Sequence, residues 1–478
     1  MSGEPEKPSS AREVWIKLAV LVAIYFAVQW LAPRPATVKP EGWRLLGIFL
    51  ATIVGLMIRP LPGGAIVLIA VTAAALLRVL PVAQALGGYS NPSVWLVLAA
   101  FFVSRALIKT GLARRIALLF VRAFGKSTLG ISYSLILTDV TLASAIPSNA
   151  ARTGGVIVPI MRSLCEVYGS LPGQTAALLG TFLFVAVYQG ECIAASMFLT
   201  GQASNPLAAN LALKIAKYDM TWAGWLAAGI GPGAIGIAVV PWLVSRLLPP
   251  QLKSTPEASN FARRELAAMG PPQRDERIVI GVFILVCLLW ATNGVHGLGI
   301  TEVALLGAST LFLTGVLTWE DAAAERAAWD VFIWYGGLVR LAEALNEFGI
   351  TQAFANGVGG YFQHLGWILL LAVTLLIYFY AHYGFASITA HILSMFPPFL
   401  ALLLLRGAPP GLAVYAFASL SNLSAGLTHY GTTPSPMFYA HGYVSFRDWW
   451  RVGAIISVVN ITIWCSAGFM WWRLIGIW

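Results

Sequence analysis

The chain has 478 residues, of which 58% are apolar and only 10% are Asp, Glu, Lys or Arg, against roughly 25% charged in a soluble globular domain. That balance excludes a water-soluble enzyme. An aromatic content of 12% and the lack of a Gly-X-Y period exclude disordered and collagen-like chains, and continuous apolar runs exclude an outer-membrane barrel, whose strands alternate. What remains is an all-α polytopic membrane protein. Its net charge of +10 belongs to cytoplasmic loops. No basic stripe with interleaved aromatics points to nucleic acid.

In chain order, residues 1–13 are polar and include Glu4, Glu6, Lys7, Arg12 and Glu13. The acids argue against a transit peptide. Residues 14–32 form the first apolar run, too long for a signal-peptide core and read as a first membrane helix. Clear spans follow near 43–59, 62–80, 93–110, 222–248, 278–293, 298–317, 329–345, 365–381 and 449–472. Three further apolar regions, 127–165, 175–216 and 382–440, are broken by Gly, Pro and small polar residues. The stretch 249–277 holds five basic and four acidic residues and reads as a cytoplasmic linker between two halves. Lys109, Arg114, Arg115 and Arg122, with no acid among them, belong on the same side. The division expected is 1–40 (cytoplasmic N-terminus and first helix), 41–248 (first repeat), 249–277 (linker) and 278–478 (second repeat). No soluble domain is expected on either side of the apolar block. Cys165, Cys192, Cys287 and Cys465 are scattered without a C-x-x-C, so neither disulfides nor a zinc site is expected.

The halves match at their interruptions. Ser148-Asn149-Ala150-Ala151-Arg152, with Pro159 eleven residues after the serine, parallels Ser387-Ile388-Thr389-Ala390-His391, with Pro398 eleven residues after its serine. Gly201-Gln202-Ala203-Ser204-Asn205-Pro206 parallels Gly431-Thr432-Thr433-Pro434-Ser435-Pro436. Short polar breaks at corresponding places in two halves point to the binding site of a secondary transporter. Such breaks are tolerated at membrane depth only where they line a cavity or pack in protein. A broken helix presents N-terminal N–H groups and a positive dipole end, both suited to carboxylates. Ser148, Asn149, Ser387 and Thr389 add side-chain donors, so two facing tips could hold both ends of a small diacid.

Arg152 is the most informative single residue, because a charge at bilayer depth is costly and a guanidinium grips a carboxylate bidentately. Two readings stand: a substrate ligand, or a structural partner of Asp139 or Glu191. His391 stands at the matching position and is open to the same question. Arg340, Glu343 and Glu347 read as interfacial ion pairs, and His382, His429 and His441 as loop or hydrogen-bonded core residues. The tryptophans near span ends, such as Trp449, Trp450, Trp471 and Trp472, read as interface anchors.

These motifs together resemble the divalent anion/sodium symporter family, from about residue 40 to the C-terminus. Pro147-Ser148-Asn149-Ala150-Ala151-Arg152-Thr153-Gly154-Gly155 looks most like the branch of plastid 2-oxoglutarate/malate translocators and bacterial citrate or tartrate/succinate antiporters. Phe385-Ala386-Ser387, Thr428-His429-Tyr430-Gly431-Thr432-Thr433-Pro434 and Gly442-Tyr443-Val444 resemble that branch as well. The resemblance implies about eleven transmembrane helices, two re-entrant hairpins (about 127–165 and 382–406), an inverted repeat, and a homodimer whose transport domains move as elevators. It implies a site formed by Ser148, Asn149, Arg152, Ser387, Thr389, His391, Asn205, Thr432 and Thr433. It also implies exchange of dicarboxylates or tricarboxylates in a bacterial inner membrane, with no cofactor and no enzymatic activity. The family signature in each half is Ser-Asn-Thr. Here it is Ser148-Asn149-Ala150 and Ser387-Ile388-Thr389, so the second asparagine is missing. That leaves at most a residual sodium site near Ser148, Asn149 and Gly201 and favours sodium-independent antiport, with a sodium-coupled dicarboxylate symporter as the alternative. If Arg152 stands unpaired in the empty site, its charge also opposes return of the empty carrier, which would make exchange obligatory.

Overall fold

In a computed structural model, the structure describes residues 11–359 and 364–478. The acidic residues Glu4 and Glu6, and Lys7, lie outside the described residues. The described fold is helical. The first half runs α1 (Ala11–Leu31), α2 (Pro40–Ile58), α3 (Gly63–Leu76), α4 (Pro92–Lys109), α5 (Leu112–Phe124), α6 (Thr128–Ala143), α7 (Asn149–Arg152), α8 (Val158–Val167), α9 (Gly180–Met197), α10 (Ser204–Ala216) and α11 (Trp222–Leu247). After α12 (Pro256–Met269) come α13 (Arg274–Ala291), α14 (Ile300–Leu313), α15 (Arg326–Glu347), α16 (Ile350–Gly359), α17 (Trp367–Ala381), α18 (Ile388–Leu405), α19 (Pro410–Leu423), α20 (Pro434–Tyr439), α21 (Phe446–Ile463) and α22 (Phe469–Leu474). Among the described residues, seven helices are long and apolar enough to cross a membrane, and α3, α6 and α14 are shorter apolar helices.

Local sequence explains many of the boundaries. Asn91 accepts the Ser93 N–H and Pro92 opens α4; Ser127 accepts the Gly130 N–H at the start of α6; Thr221 accepts the Gly224 N–H at the start of α11. Each cap satisfies a donor that has no partner within its helix. Between α7 and α8, residues Thr153–Ile157 form a π-helical turn. Pro159 at the start of α8 has no N–H to give to the preceding turn, which accounts for the widened turn just before it.

The halves interlock. The third helix, α3, packs against α15 of the second half, and α4 packs against α14. Since α3 and α14 hold corresponding places in their halves, as do α4 and α15, the two contacts are reciprocal. The broken helices α9 and α19 also pack on each other. At one such crossing Gly88 meets the Gly336 carbonyl so closely that a methyl group would come within 1.9 Å of its oxygen.

The structure adds detail within two expected segments. The segment 249–277 is more than a linker, because it contains α12, packed along α5. Its ends are tied by the Thr128 N–H to the Lys253 carbonyl (3.2 Å) and by Thr255 Oγ1 to the Gly125 carbonyl (2.9 Å). Arg114 pairs with Glu265 at 2.5 Å, and Arg115 makes a bidentate pair with Glu276. The basic run thus meets the acids of the segment. The second tip joins α17 to α18, which pack together, so 382–406 covers only the tip and its second arm. The first hairpin, 127–165, contains both of its arms, α6 and the α7–α8 arm.

Candidate functional site

Each hairpin tip is organised by its serine. Ser148 Oγ accepts the Ala151 N–H at 3.1 Å and caps α7. Ser387 Oγ accepts the Ala390 N–H at 3.4 Å and caps α18. The matched serines of the two halves are therefore matched N-caps. The residues four places on, Arg152 and His391, return their backbone N–H to the carbonyls of Ser148 and Ser387, both at 3.1 Å.

A cavity of about 630 Å³ lies between these tips, the breaks in the two broken helices, and the α2–α3 turn with α15. Its volume falls within the roughly 300–1,000 Å³ of small-molecule sites. Ser148, Asn149, Ser387, Thr389, Thr432 and Thr433 all line it, and Gln202 and Ser204 from the first break join them. Asn149 links the pieces loosely, its Nδ2 standing 3.4 Å from Gln202 Oε1 and 3.5 Å from Thr432 Oγ1. The opposite wall carries Arg59, Asp330, Trp334 and Phe101. Sequence reasoning missed Arg59 and Asp330. Both lie at the ends of ordinary apolar spans, where a charge reads as an interfacial residue.

Three expected ligands stand elsewhere. Arg152 is fully buried and does not line the cavity. Its Nε donates to Asp139 Oδ1 at 2.7 Å, and Nη1 donates to the carbonyls of Ile146 (2.7 Å) and Gly201 (2.9 Å). The reading of Arg152 as a substrate ligand is therefore corrected to the structural one, with Asp139 as partner. Glu191 is beside the pair and accepts from Thr153 Oγ1 at 2.7 Å. Because Asp139 neutralises the guanidinium, Arg152 does not leave a lone positive charge in the empty cavity, and the account of obligatory exchange built on that charge does not hold.

His391 is also fully buried. Its ring lies 4.1 Å from that of Tyr378, and its Nδ1 lies 3.2 Å from His382 Nδ1. It too is a tip-packing residue rather than a cavity ligand. His382 in turn reaches the Gly431 carbonyl through Nε2 at 2.8 Å. The arrangement mirrors the first half: Arg152 ties tip one to the carbonyl of Gly201, and the histidine pair ties tip two to that of Gly431. Asn205, the third residue, donates to the Ala195 and Phe198 carbonyls, both at 2.8 Å, and its Oδ1 accepts from Asn422 Nδ2 at 2.9 Å. It clamps the first break shut. At the corresponding place in the second break, Ser435 meets the Tyr188 hydroxyl at 2.8 Å. Each break is thus held by the broken helix of the other half.

Among the described residues no cluster of three or more His, Cys, Asp or Glu side chains could hold a metal ion. At the suspected sodium position the Gly201 carbonyl already accepts from Arg152.

Comparison with known proteins identifies the family. A family model described as the sodium:sulfate symporter transmembrane region matches residues 12–478. The chain is 42% identical, over the whole of both sequences, to a protein of Bacillus subtilis named a putative malate transporter, YflS. It is 43% identical to dicarboxylate transporter 1, chloroplastic, of Arabidopsis thaliana, over 94% of this chain and 82% of the relative. Inner membrane protein YbhI of Escherichia coli is 33% identical over 98% of this chain and 99% of its own. Among solved structures, the Alcanivorax borkumensis YdaH transporter has a similar fold, with a TM-score of 0.50 at 13% identity over 98% of both chains. An apolar helical chain, with paired capped tips around one cavity and this similarity along nearly its whole length, belongs to the sodium:sulfate symporter family, and it is an integral membrane transporter rather than an enzyme.

Proposed function

We propose that the protein exchanges dicarboxylate or tricarboxylate anions, such as 2-oxoglutarate, malate, succinate or citrate, across a bacterial inner membrane. The observation that carries this reading is the convergence of both capped tips and both helix breaks on one cavity. Ser148 with Asn149 offers donors for one carboxylate, and Ser387 with Thr389 offers donors for the other. The helix N-termini behind the caps favour negative charge at each end. The relatives named as malate and dicarboxylate transporters support the substrate class.

Transport by an elevator motion fits the division of the cavity. The tips and breaks form one wall, tied internally through Arg152 and the histidine pair, and the α2–α3 turn with α15 forms the other. The reciprocal pairing of α3 with α15 and α4 with α14 supports an inverted repeat. The proposal keeps about eleven transmembrane helices, a homodimer and a cytoplasmic α12 segment.

Sodium independence is supported by the first tip. The guanidinium of Arg152 sits on the carbonyls of Ile146 and Gly201, which a sodium ion would need, and Ile388 stands where the second asparagine would be. A sodium-coupled symporter remains the second reading, favoured by Asn149 at the first tip.

The test is labelled malate uptake into liposomes, with and without internal malate and with and without a sodium gradient. Uptake that requires internal malate and ignores sodium is expected. Sodium-driven uptake into vesicles without internal dicarboxylate would replace exchange by symport.

A further inference from the structure

With Arg152 paired inside the protein, the charge balance of the cavity falls to two residues. Among the described lining residues, Arg59 is the one cation and Asp330 the one anion. Asp330 is already engaged. Its Oδ1 accepts the Gly64 N–H at 3.0 Å, at the start of α3, and a methyl group on Gly64 would sit 2.7 Å from that oxygen.

Arg59 is differently placed. It ends α2 in the left-handed region, with φ at 46°, and its N–H returns to the Gly55 carbonyl. Pro60 and Pro62 follow at once and stiffen the turn that carries it. Its side chain is exposed within the cavity, and Nη2 donates to the Ala386 carbonyl at 3.1 Å. No carboxylate pairs with it among the described residues. Ala386 is the residue before Ser387, so the guanidinium lies beside the second tip. That is the tip where Ile388 replaces the polar donor that Asn149 supplies at the first. A guanidinium has five N–H donors in a planar fork. One is spent on Ala386, and those left suit a carboxylate.

We propose that Arg59 is a substrate-binding residue, whose guanidinium takes the carboxylate seated at the second hairpin tip. The proposal rests on the reading of the cavity as a carboxylate site. Arg59 belongs to the wall opposite the tips, so the contact joins the two walls while the anion is bound. A purely structural role, as helix cap and as a latch on Ala386, predicts something different. It would alter the rate of movement but not the affinity for the anion.

The test uses the full chain in liposomes loaded with malate. Labelled malate exchange is measured for wild type, Arg59→Gln, Arg59→Ala and Arg59→Lys, with thermal stabilisation of the detergent-solubilised proteins by malate and by sulfate measured alongside. Loss of a charge-assisted contact is expected to raise the malate KM about 10- to 100-fold in Arg59→Gln and Arg59→Ala, with maximal rate changed much less. Arg59→Lys is expected to recover part of the affinity, and it separates loss of charge from loss of fold if the neutral variants fail to assemble. The stabilisation by malate should shrink in parallel. A malate KM in Arg59→Gln within twofold of wild type overturns the proposal while leaving the exchange reading intact, as does a fall in maximal rate alone. A wild type that neither exchanges malate nor is stabilised by either anion overturns both.

Discussion

Asp139, Arg152 and Glu191 stand together among the buried residues at the first tip. The sequence made clear that Arg152 needed an anion, because an unpaired guanidinium at that depth is too costly to keep. It offered two internal acids, Asp139 and Glu191, and favoured the external carboxylate of a substrate. The fold chooses Asp139, since α6 packs on α7 and brings that carboxylate within 2.7 Å of Nε. Removing one partner of such a pair strands the other charge, at about 3–5 kcal/mol. Arg152→Met should therefore lower the thermal unfolding temperature in detergent sharply, and the Arg152→Met/Asp139→Asn double variant should regain most of it. Equal instability of the single and double variants would show that the pair is not what Arg152 contributes.

At the scale of elements, the tips repeat one device with different chemistry. A serine caps the incoming helix, and a side chain one turn later helps to tie the tip to a glycine carbonyl in the nearby break. In the first half that side chain is an arginine acting directly; in the second it is a histidine acting through His382. The matched serines, the matched prolines and the glycines at 201 and 431 were all legible as a repeat. Their use as caps and acceptors was not, because spacing reports which residues correspond but not which way they face. Ser148→Ala and Ser387→Ala should each cost about 0.5–2 kcal/mol of stability, read as a lower unfolding temperature. Aspartate at either position should keep the cap and restore stability, while its negative charge in the cavity should depress malate exchange. Restored stability with unimpaired exchange would place the substrate away from the tips.

Across the whole molecule, the halves are joined at points too tight for substitution. Tyr89 donates to the Ile333 carbonyl at 3.1 Å, and its neighbour Gly88 abuts Gly336. A side chain on Gly88 must push the α3–α4 connection off α15. Gly88→Ala should therefore lower thermal stability and disturb the α15 wall of the cavity. Gly281→Ala is the matched control in α13, where nothing lies within 4 Å, and it should be neutral or stabilising by up to about 1 kcal/mol. Similar behaviour of the two variants would mean that the crossing is looser than its geometry.

Length, apolar run lengths and the paired polar breaks pointed, without any structure, to a helical membrane transporter, and the breaks to its candidate site. These are consequences of what a bilayer permits: internally bonded helices, and irregular backbone only where it lines a cavity. The partners of Arg152, His391, Asn205 and Arg59 were decided by tertiary structure alone. A buried charge or amide must be satisfied, but which partner satisfies it depends on helix crossings between residues far apart in sequence, such as Asn205 with Asn422 or Arg59 with Ala386.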